Sequence, residues 1–338
     1  MTALRAMAAG ARRALGSPFI LLWLWLLNLA VAAPVAWIVV ASLEDGIGTS
    51  RAYVTLTSDF DMEWYGTYRD EARGIASTFT PTHAGAGAVY DNLERMLTGD
   101  LLSLPLSVIV VGCVYGLLWL LMLGGVVDRF ADRDARPGFR RFFGAGGRLF
   151  FRFVRLAVLS GALYVGVYWV SHNLFAWMKE ATRDVTVEGT IFYYSLLIWG
   201  LTAVLLTLIH ACFGFAKVAT VVDNRRSMLL AAVRGFAFVA RHPVRTLGLY
   251  YGFLLVTGFV LVWYVLLAPG VGQQTYEAIL WAFAGSQLFL LLKLFVRLSL
   301  LGGQTAMCQA HARKGSSLDF IQNSDSEPDF APDPPSSV

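Results

Sequence analysis

The sequence predicts an all-α fold, a polytopic membrane helix bundle of about six transmembrane helices with a small helical external loop. Three observations predict it. Hydrophobic residues make up 57% of the chain and charged ones 15%, whereas a soluble domain carries about 25% charged residues. The apolar residues fall into long blocks separated by charged connectors, which is the pattern of spans rather than of a soluble core. Arginine and lysine gather on alternate connectors, the asymmetry that orients a polytopic protein.

A span needs about 20 residues and must be helical, because lipid offers no partner to a backbone amide. The apolar blocks place spans at 18–42, 101–127, 149–177, 191–222, 244–268 and 276–301. Residues 1–17 form an N-terminal segment, 18–314 the membrane domain and 315–338 a tail. The first block supports two readings. Arg12-Arg13, an apolar stretch and Ala30-Val31-Ala32 before Ala33 resemble a cleavable signal peptide, but the apolar run continues through Val40, as an uncleaved anchor requires. The tail is acidic and rich in proline and serine, with Asp319, Asp325, Glu327, Asp329 and Asp333, and is expected to be disordered.

Arg5, Arg12 and Arg13 precede the first span. Arg129, Arg133, Arg136, Arg140, Arg141 and Arg148 follow the second, with Arg152 and Arg155 just inside the third. Arg225, Arg226, Arg234, Arg241 and Arg245 follow the fourth, and Arg313 and Lys314 the sixth. The opposite connectors hold only Arg51, Arg69, Arg73, Arg95, Lys179 and Arg183. Both termini are therefore expected in the cytoplasm. Abundant Ala, Gly and Arg with few Lys suit a GC-rich genome and a bacterial inner membrane.

The connector before the third span is basic and aromatic together. Arg140, Arg141, Arg148, Arg152 and Arg155 alternate with phenylalanines, and Arg148, Arg152 and Arg155 share one helix face. Such a face suits anionic lipid headgroups, although positive-inside flanking accounts for the same charge. Nucleic acid is excluded as a partner because these residues begin a span. Gly144-Ala145-Gly146-Gly147 reads as a hinge. The external segment, 43–100, is acidic on balance. A capped, amphipathic helix start within 58–65 and a second short helix over 88–97, stopped by Gly99, are expected within it. It is either a lid that docks a protein partner or a folded connector.

The even spans end alike: Leu123-Gly124-Gly125-Val126-Val127-Asp128, Val218-Ala219-Thr220-Val221-Val222-Asp223 and Leu301-Gly302-Gly303-Gln304. This suggests three tandem helix hairpins, with small residues at matched depth allowing close approach. The same register puts Tyr115, His210 and Lys293 in one layer, with Lys217 and Arg297 on the same faces as His210 and Lys293. Ionisable groups within a membrane are costly and are functional candidates. Tyr115, His210, Lys217, Lys293 and Arg297 are accordingly a candidate anion or lipid-headgroup site. Snorkelling to the inner surface is the competing reading of the lysines and the arginine. Asn28 and Gln287 are expected to hydrogen-bond between helices.

The even spans ending in Gly124-Gly125-Val126-Val127-Asp128 and Val221-Val222-Asp223 are followed by basic, aromatic connectors such as Ala231-Ala232-Val233-Arg234-Gly235-Phe236. In this the chain loosely resembles uncharacterised six-helix bacterial membrane proteins related to the membrane domain of glycerophosphodiester phosphodiesterases. The likeness covers residues 101–310 and excludes the long external segment. It implies a membrane-embedded accessory role and transfers no functional residue.

No catalytic signature stands out. The histidines (His83, His172, His210, His242, His311) form no HExxH, and no phosphate loop, GxSxG elbow or cysteine-metal spacing occurs. No enzyme activity, metal or cofactor is expected, and Cys113, Cys212 and Cys308 imply no disulfide framework. The function expected is a scaffold, assembly or regulatory component of the membrane. The alternative is a transporter or lipid-handling protein with an anion or headgroup site at the inner leaflet. The expected partners are membrane lipids, anionic ones above all.

Overall fold

The structure, a computed structural model, describes residues 1–48, 61–79, 93–97, 104–132, 138–184, 187–222, 227–267 and 275–324, apart from the side chains of Glu188 and 313–324. Among these residues it is built from helices alone. They are α1 (Ala3–Leu15), α2 (Pro18–Gly48), α3 (Met62–Glu71), a 3₁₀ turn (Ala76–Thr78), α4 (Leu106–Ala131), α5 (Phe139–Ala181), α6 (Glu188–Val222), α7 (Met228–Arg241), α8 (Pro243–Leu267) and α9 (Tyr276–Ser324). Six of them, α2, α4, α5, α6, α8 and α9, are long and apolar enough to cross a membrane. The chain is a multi-pass membrane protein. The end of the bundle that carries α1, α7 and the α4–α5 connector is called the basic face, and the opposite end the loop face.

Local chemistry sets most boundaries. Thr2 caps α1, its hydroxyl accepting from Arg5 N at 3.4 Å. Asp61 caps α3, accepting from the Glu63 and Trp64 amides at 3.0 Å each. Pro18 and Pro243 open α2 and α8, where a missing N–H costs nothing. Pro34 is tolerated inside α2.

Several helices outrun their apolar blocks. α2 continues to Gly48 because α3 packs on its end: Trp64 Nε1 donates to the Gly46 carbonyl at 3.2 Å, and the Ser42 and Tyr68 hydroxyls lie 3.3 Å apart. The expected hinge at 144–147 is continuous helix within α5. Ala145 and Gly146 face α4, and that contact supports the backbone, while Gly144 and Gly147 are exposed. α9 runs past Gly315 to Ser324, so the first ten residues of the expected disordered tail are helical. A single glycine costs a helix only about 1 kcal/mol and does not stop it. Residues 325–338 lie outside the described residues, as does most of the expected 88–97 helix, of which 93–97 is helical.

The tightest packing recurs three times, each time between an even span and an amphipathic helix. The start of α5 lies on α4, α7 lies on α6, and α1 lies on α9. Each contact is centred on a glycine. A Cβ at Gly146 would sit 2.5 Å from the Leu121 carbonyl oxygen, and one at Gly235 2.5 Å from that of Cys212. One at Gly10 would strike the Ser299 carbonyl. These contacts close a ring: the helix that opens the chain docks on the span that ends it. Arg13, buried on α1, donates to the Gly302 carbonyl at 3.2 Å and to Gln309 Oε1 at 2.7 Å. Gln309 Nε2 in turn donates at 2.7 Å to Ala131 O, at the end of α4.

The three glycines correct the register read from the apolar motifs. Leu121, Cys212 and Ser299 are equivalent, so α6 shifts by four residues, about one turn. Repetitive Val-Val strings align as well one turn out as in place, whereas the backbone contact fixes the register. Asp223, the other support for the sequence register, lies outside the described residues.

α4, α6 and α9 touch one another and form an inner triad, with α2, α5 and α8 outside it. Packing is densest towards the basic face, where Val126, Val127, Val218, Leu298 and Gln304 are almost fully buried. Towards the loop face it thins, although α5 and α6 still bury Ser171, Ile198 and Thr202 there, with Thr202 Oγ1 donating to Ser171 Oγ at 3.0 Å. No residue of α4 before Trp119, of α8 after Phe253, or of α9 before Leu294 is buried. A closed bundle would bury a stripe along each span. Packing between the hairpins is therefore tightest towards the basic face and loosens towards the loop face.

Candidate functional site

The corrected register places Trp119, His210 and Arg297 in one layer of the inner triad, two residues before the three matched carbonyls. This layer lies where the packing begins to loosen. It stands nine residues before Asp128, about 14 Å from the basic end of α4. Tyr115 and Lys293 occupy the next turn towards the loop face, and Lys217 follows on α6 towards the basic face.

Arg297 is the hub. Its guanidinium carbon lies 3.6 Å from the centroid of the Trp119 ring, a cation–π contact. It is close enough to act electrostatically on His210, Lys217 and Lys293. It keeps open surface, as do His210 and Lys293. The structure thus brings together all five residues singled out from the sequence, and Arg297 stacks on Trp119 within the bundle.

Tyrosines and an asparagine complete the layer. Tyr164 of α5 places its hydroxyl 3.4 Å from His210 Nδ1, and the Tyr250 ring of α8 lies 5.7 Å from the imidazole. Tyr115 donates to Asn28 Oδ1 at 3.1 Å, tying α4 to α2. Trp25 Nε1 donates to Gln287 Oε1 at 2.9 Å, tying α2 to α9. Asn28 and Gln287 therefore bond between helices, as their isolation in apolar spans predicts. Trp119, Tyr164 and Tyr250 were not legible as site residues, because an aromatic in a span carries no distinctive signal.

None of the ion pairs among the described residues involves His210, Lys217, Lys293 or Arg297. Like charges converging in a low-dielectric layer repel one another, and an anion relieves that cost. No protein family, curated protein or solved structure matches this chain. The chemistry of the site must therefore be argued from its own residues.

The interfacial arginines divide. Arg141 pairs with Asp132 at 2.7 Å and Asp128 at 3.5 Å, and Arg148 pairs with Asp128 at 3.2 Å. These two brace the α4–α5 corner, so their charge is already partly spent. Arg140 and Arg155 are exposed, and Arg152 is half-buried with a partner of its own. Cys113, Cys212 and Cys308 form no disulfide with one another.

Proposed function

We propose that this protein handles an anionic amphiphile, a lipid whose headgroup sits on the Arg297 layer and whose chains lie between the hairpins. One observation carries the reading: His210 and Arg297 in one layer, with Lys293 a turn above and Lys217 below, have no acidic partner among the described residues. The helices above this layer are apolar, as Val108 to Val114 of α4 illustrate. That suits acyl chains better than a hydrated ion. The charge asymmetry supports a basic face in the cytoplasm and a bacterial inner membrane as the compartment. In this orientation the layer lies at inner-leaflet depth. The role is binding and passage, with no enzymatic step.

The test is lipid retention. Native mass spectrometry of the gently solubilised protein should show bound phosphatidylglycerol, and Lys293→Gln/Arg297→Gln should lose it. Full retention by the double variant would refute the reading. Inorganic phosphate added to delipidated protein distinguishes a solute, which would stabilise it without any lipid. A second reading, a scaffold that docks a partner, draws on α3. Tyr65 and Tyr68 bury against the α2 end and leave Met62 and Trp64 facing outward in part. Co-purification of a stoichiometric subunit that is lost on Met62→Asp would favour it.

A further inference from the structure

A second polar cavity lies at the basic face, remote from the Arg297 layer. It occupies about 410 Å³ between α6, α7 and α9, and Arg234, Arg241, His242 and His311 line it together with Phe238 and Phe215. Its construction is local. α7 buries Ala231, Ala232, Gly235 and Val239 against α6 and carries Arg234 and Arg241 on its open side, seven residues apart. That spacing is two helical turns, so both guanidinium groups overhang one opening. His242 ends α7, and His311 comes from α9.

The back of the cavity is an aromatic triangle. The His242 and His311 rings meet edge to face at 5.3 Å, and both meet the Phe238 ring edge to face, at 5.5 and 5.6 Å. The triangle holds the two imidazoles side by side. No carboxylate lines the cavity among the described residues. The Arg241 guanidinium and two imidazoles over an aromatic floor match the charge of a phosphate group with a small polar substituent, while Arg234, which lines the same opening, has an interaction of its own.

We infer that the cavity formed by Arg234, Arg241, His242 and His311 binds a phosphate group. The group belongs either to a phospholipid headgroup at the membrane surface or to a soluble phosphate ester. The site is independent of the Arg297 layer. Cys308, which also lines the cavity, stands eleven residues from Arg297 on α9, about 16 Å along the helix.

The imidazoles make this site responsive to pH. Burial holds His242 below the usual histidine range, and His311, Arg245, Arg241 and the amino terminus add to the effect. His311 faces it from α9, Arg241 from α7, Arg245 from α8 and the amino terminus from α1. Without ligand His242 is therefore neutral at neutral pH. A phosphodiester keeps one negative charge across this range and favours the protonated ring, so its binding tightens as pH falls.

The experiment uses the full chain carrying Arg297→Gln and Lys293→Gln, which silences the first site, in nanodiscs of zwitterionic lipid. Dimethyl phosphate, a phosphodiester monoanion at both pH values, is titrated by calorimetry at pH 7.5 and pH 5.5. In parallel, phosphatidylglycerol-doped nanodiscs are analysed by native mass spectrometry. Binding should be tighter at the lower pH. Arg241→Gln or His311→Gln should weaken it roughly tenfold, the effect of one charge-assisted hydrogen bond. Arg241→Lys, which keeps the charge without the fork, should lie between. Binding of dimethyl phosphate alone assigns a soluble ligand, and retention of phosphatidylglycerol assigns a headgroup. Binding of neither, or binding that the three substitutions leave unchanged, overturns the assignment.

Discussion

Gly10→Ala tests the ring closure that organises this fold. The added methyl would strike the Ser299 carbonyl and lie 2.7 Å from Gly303 N and 3.1 Å from Gly303 Cα. All three atoms belong to backbone, so no side-chain rotation relieves the clash. α1 must withdraw, which loosens the Arg13 bonds to Gly302 and Gln309. Overpacking of this kind costs about 1–3 kcal/mol, and a weakened hydrogen bond from a charged group adds about 1 kcal/mol or more. Replacing a mid-helix glycine by alanine returns up to about 1 kcal/mol of propensity. The net expectation is a loss of about 1–3 kcal/mol, or roughly 2–4 °C in melting temperature for each kcal/mol. Gly146→Ala and Gly235→Ala should behave alike, since each meets a backbone carbonyl at 2.5 Å. Gly144→Ala is the internal control: it lies on the same helix as Gly146 with nothing within 4 Å of its Cβ position, and should be neutral or stabilising. Tryptophan fluorescence during heating in detergent measures all four. If Gly10→Ala, Gly146→Ala and Gly235→Ala melt with Gly144→Ala, the three equivalent contacts do not exist as described.

Four further outcomes follow from named contacts. Asp128→Asn should destabilise the protein by about 1 kcal/mol by releasing Arg141 and Arg148 together. A double-mutant cycle with Arg148→Gln should show coupling between them. Trp25→Phe removes the bond to Gln287 between α2 and α9 and should cost about 0.5–1.5 kcal/mol by the same melting assay. Arg297→Gln should raise the melting temperature of delipidated protein, by removing like-charge repulsion, and abolish the stabilisation that phosphatidylglycerol gives the wild type. Finally, His242 sits below its usual range. Its contribution to stability is complete above about pH 6.5 and is lost as pH falls through the lower folded value. A phosphodiester should restore stability at acid pH in the wild type, and in Arg241→Gln only at roughly tenfold higher concentration.

Much of this architecture was legible in the sequence for a simple reason. Lipid leaves a span no alternative to helix, so each apolar block announces one, and each of the six spans contains most of its expected block. The capped helix start within 58–65 was legible because a side-chain cap is a local device. Other features depend on distant partners and carried no local signal. The docking of α1 on α9 joins residues 3–15 to the far end of the chain, and its only trace is Gly10 set eight residues before Pro18, as Gly235 is before Pro243. The repeat itself was visible in the Gly-Gly pairs, but its α6 register was not, because Val-Val strings slide by a turn without penalty. The site was legible in its charges, which stand out against apolar surroundings. Its aromatic frame was not: Trp119, Tyr164 and Tyr250 acquire meaning only from what they face.

The reading as a whole turns on whether the space between the hairpins above the Arg297 layer holds an anionic amphiphile. Cryo-electron microscopy of the protein in phosphatidylglycerol-containing nanodiscs addresses this directly. An elongated density should run between the hairpins and end within hydrogen-bonding distance of Arg297 and Lys293. Hairpins closed against one another along their full length, with Arg297 paired to a protein carboxylate and no density above it, would contradict it.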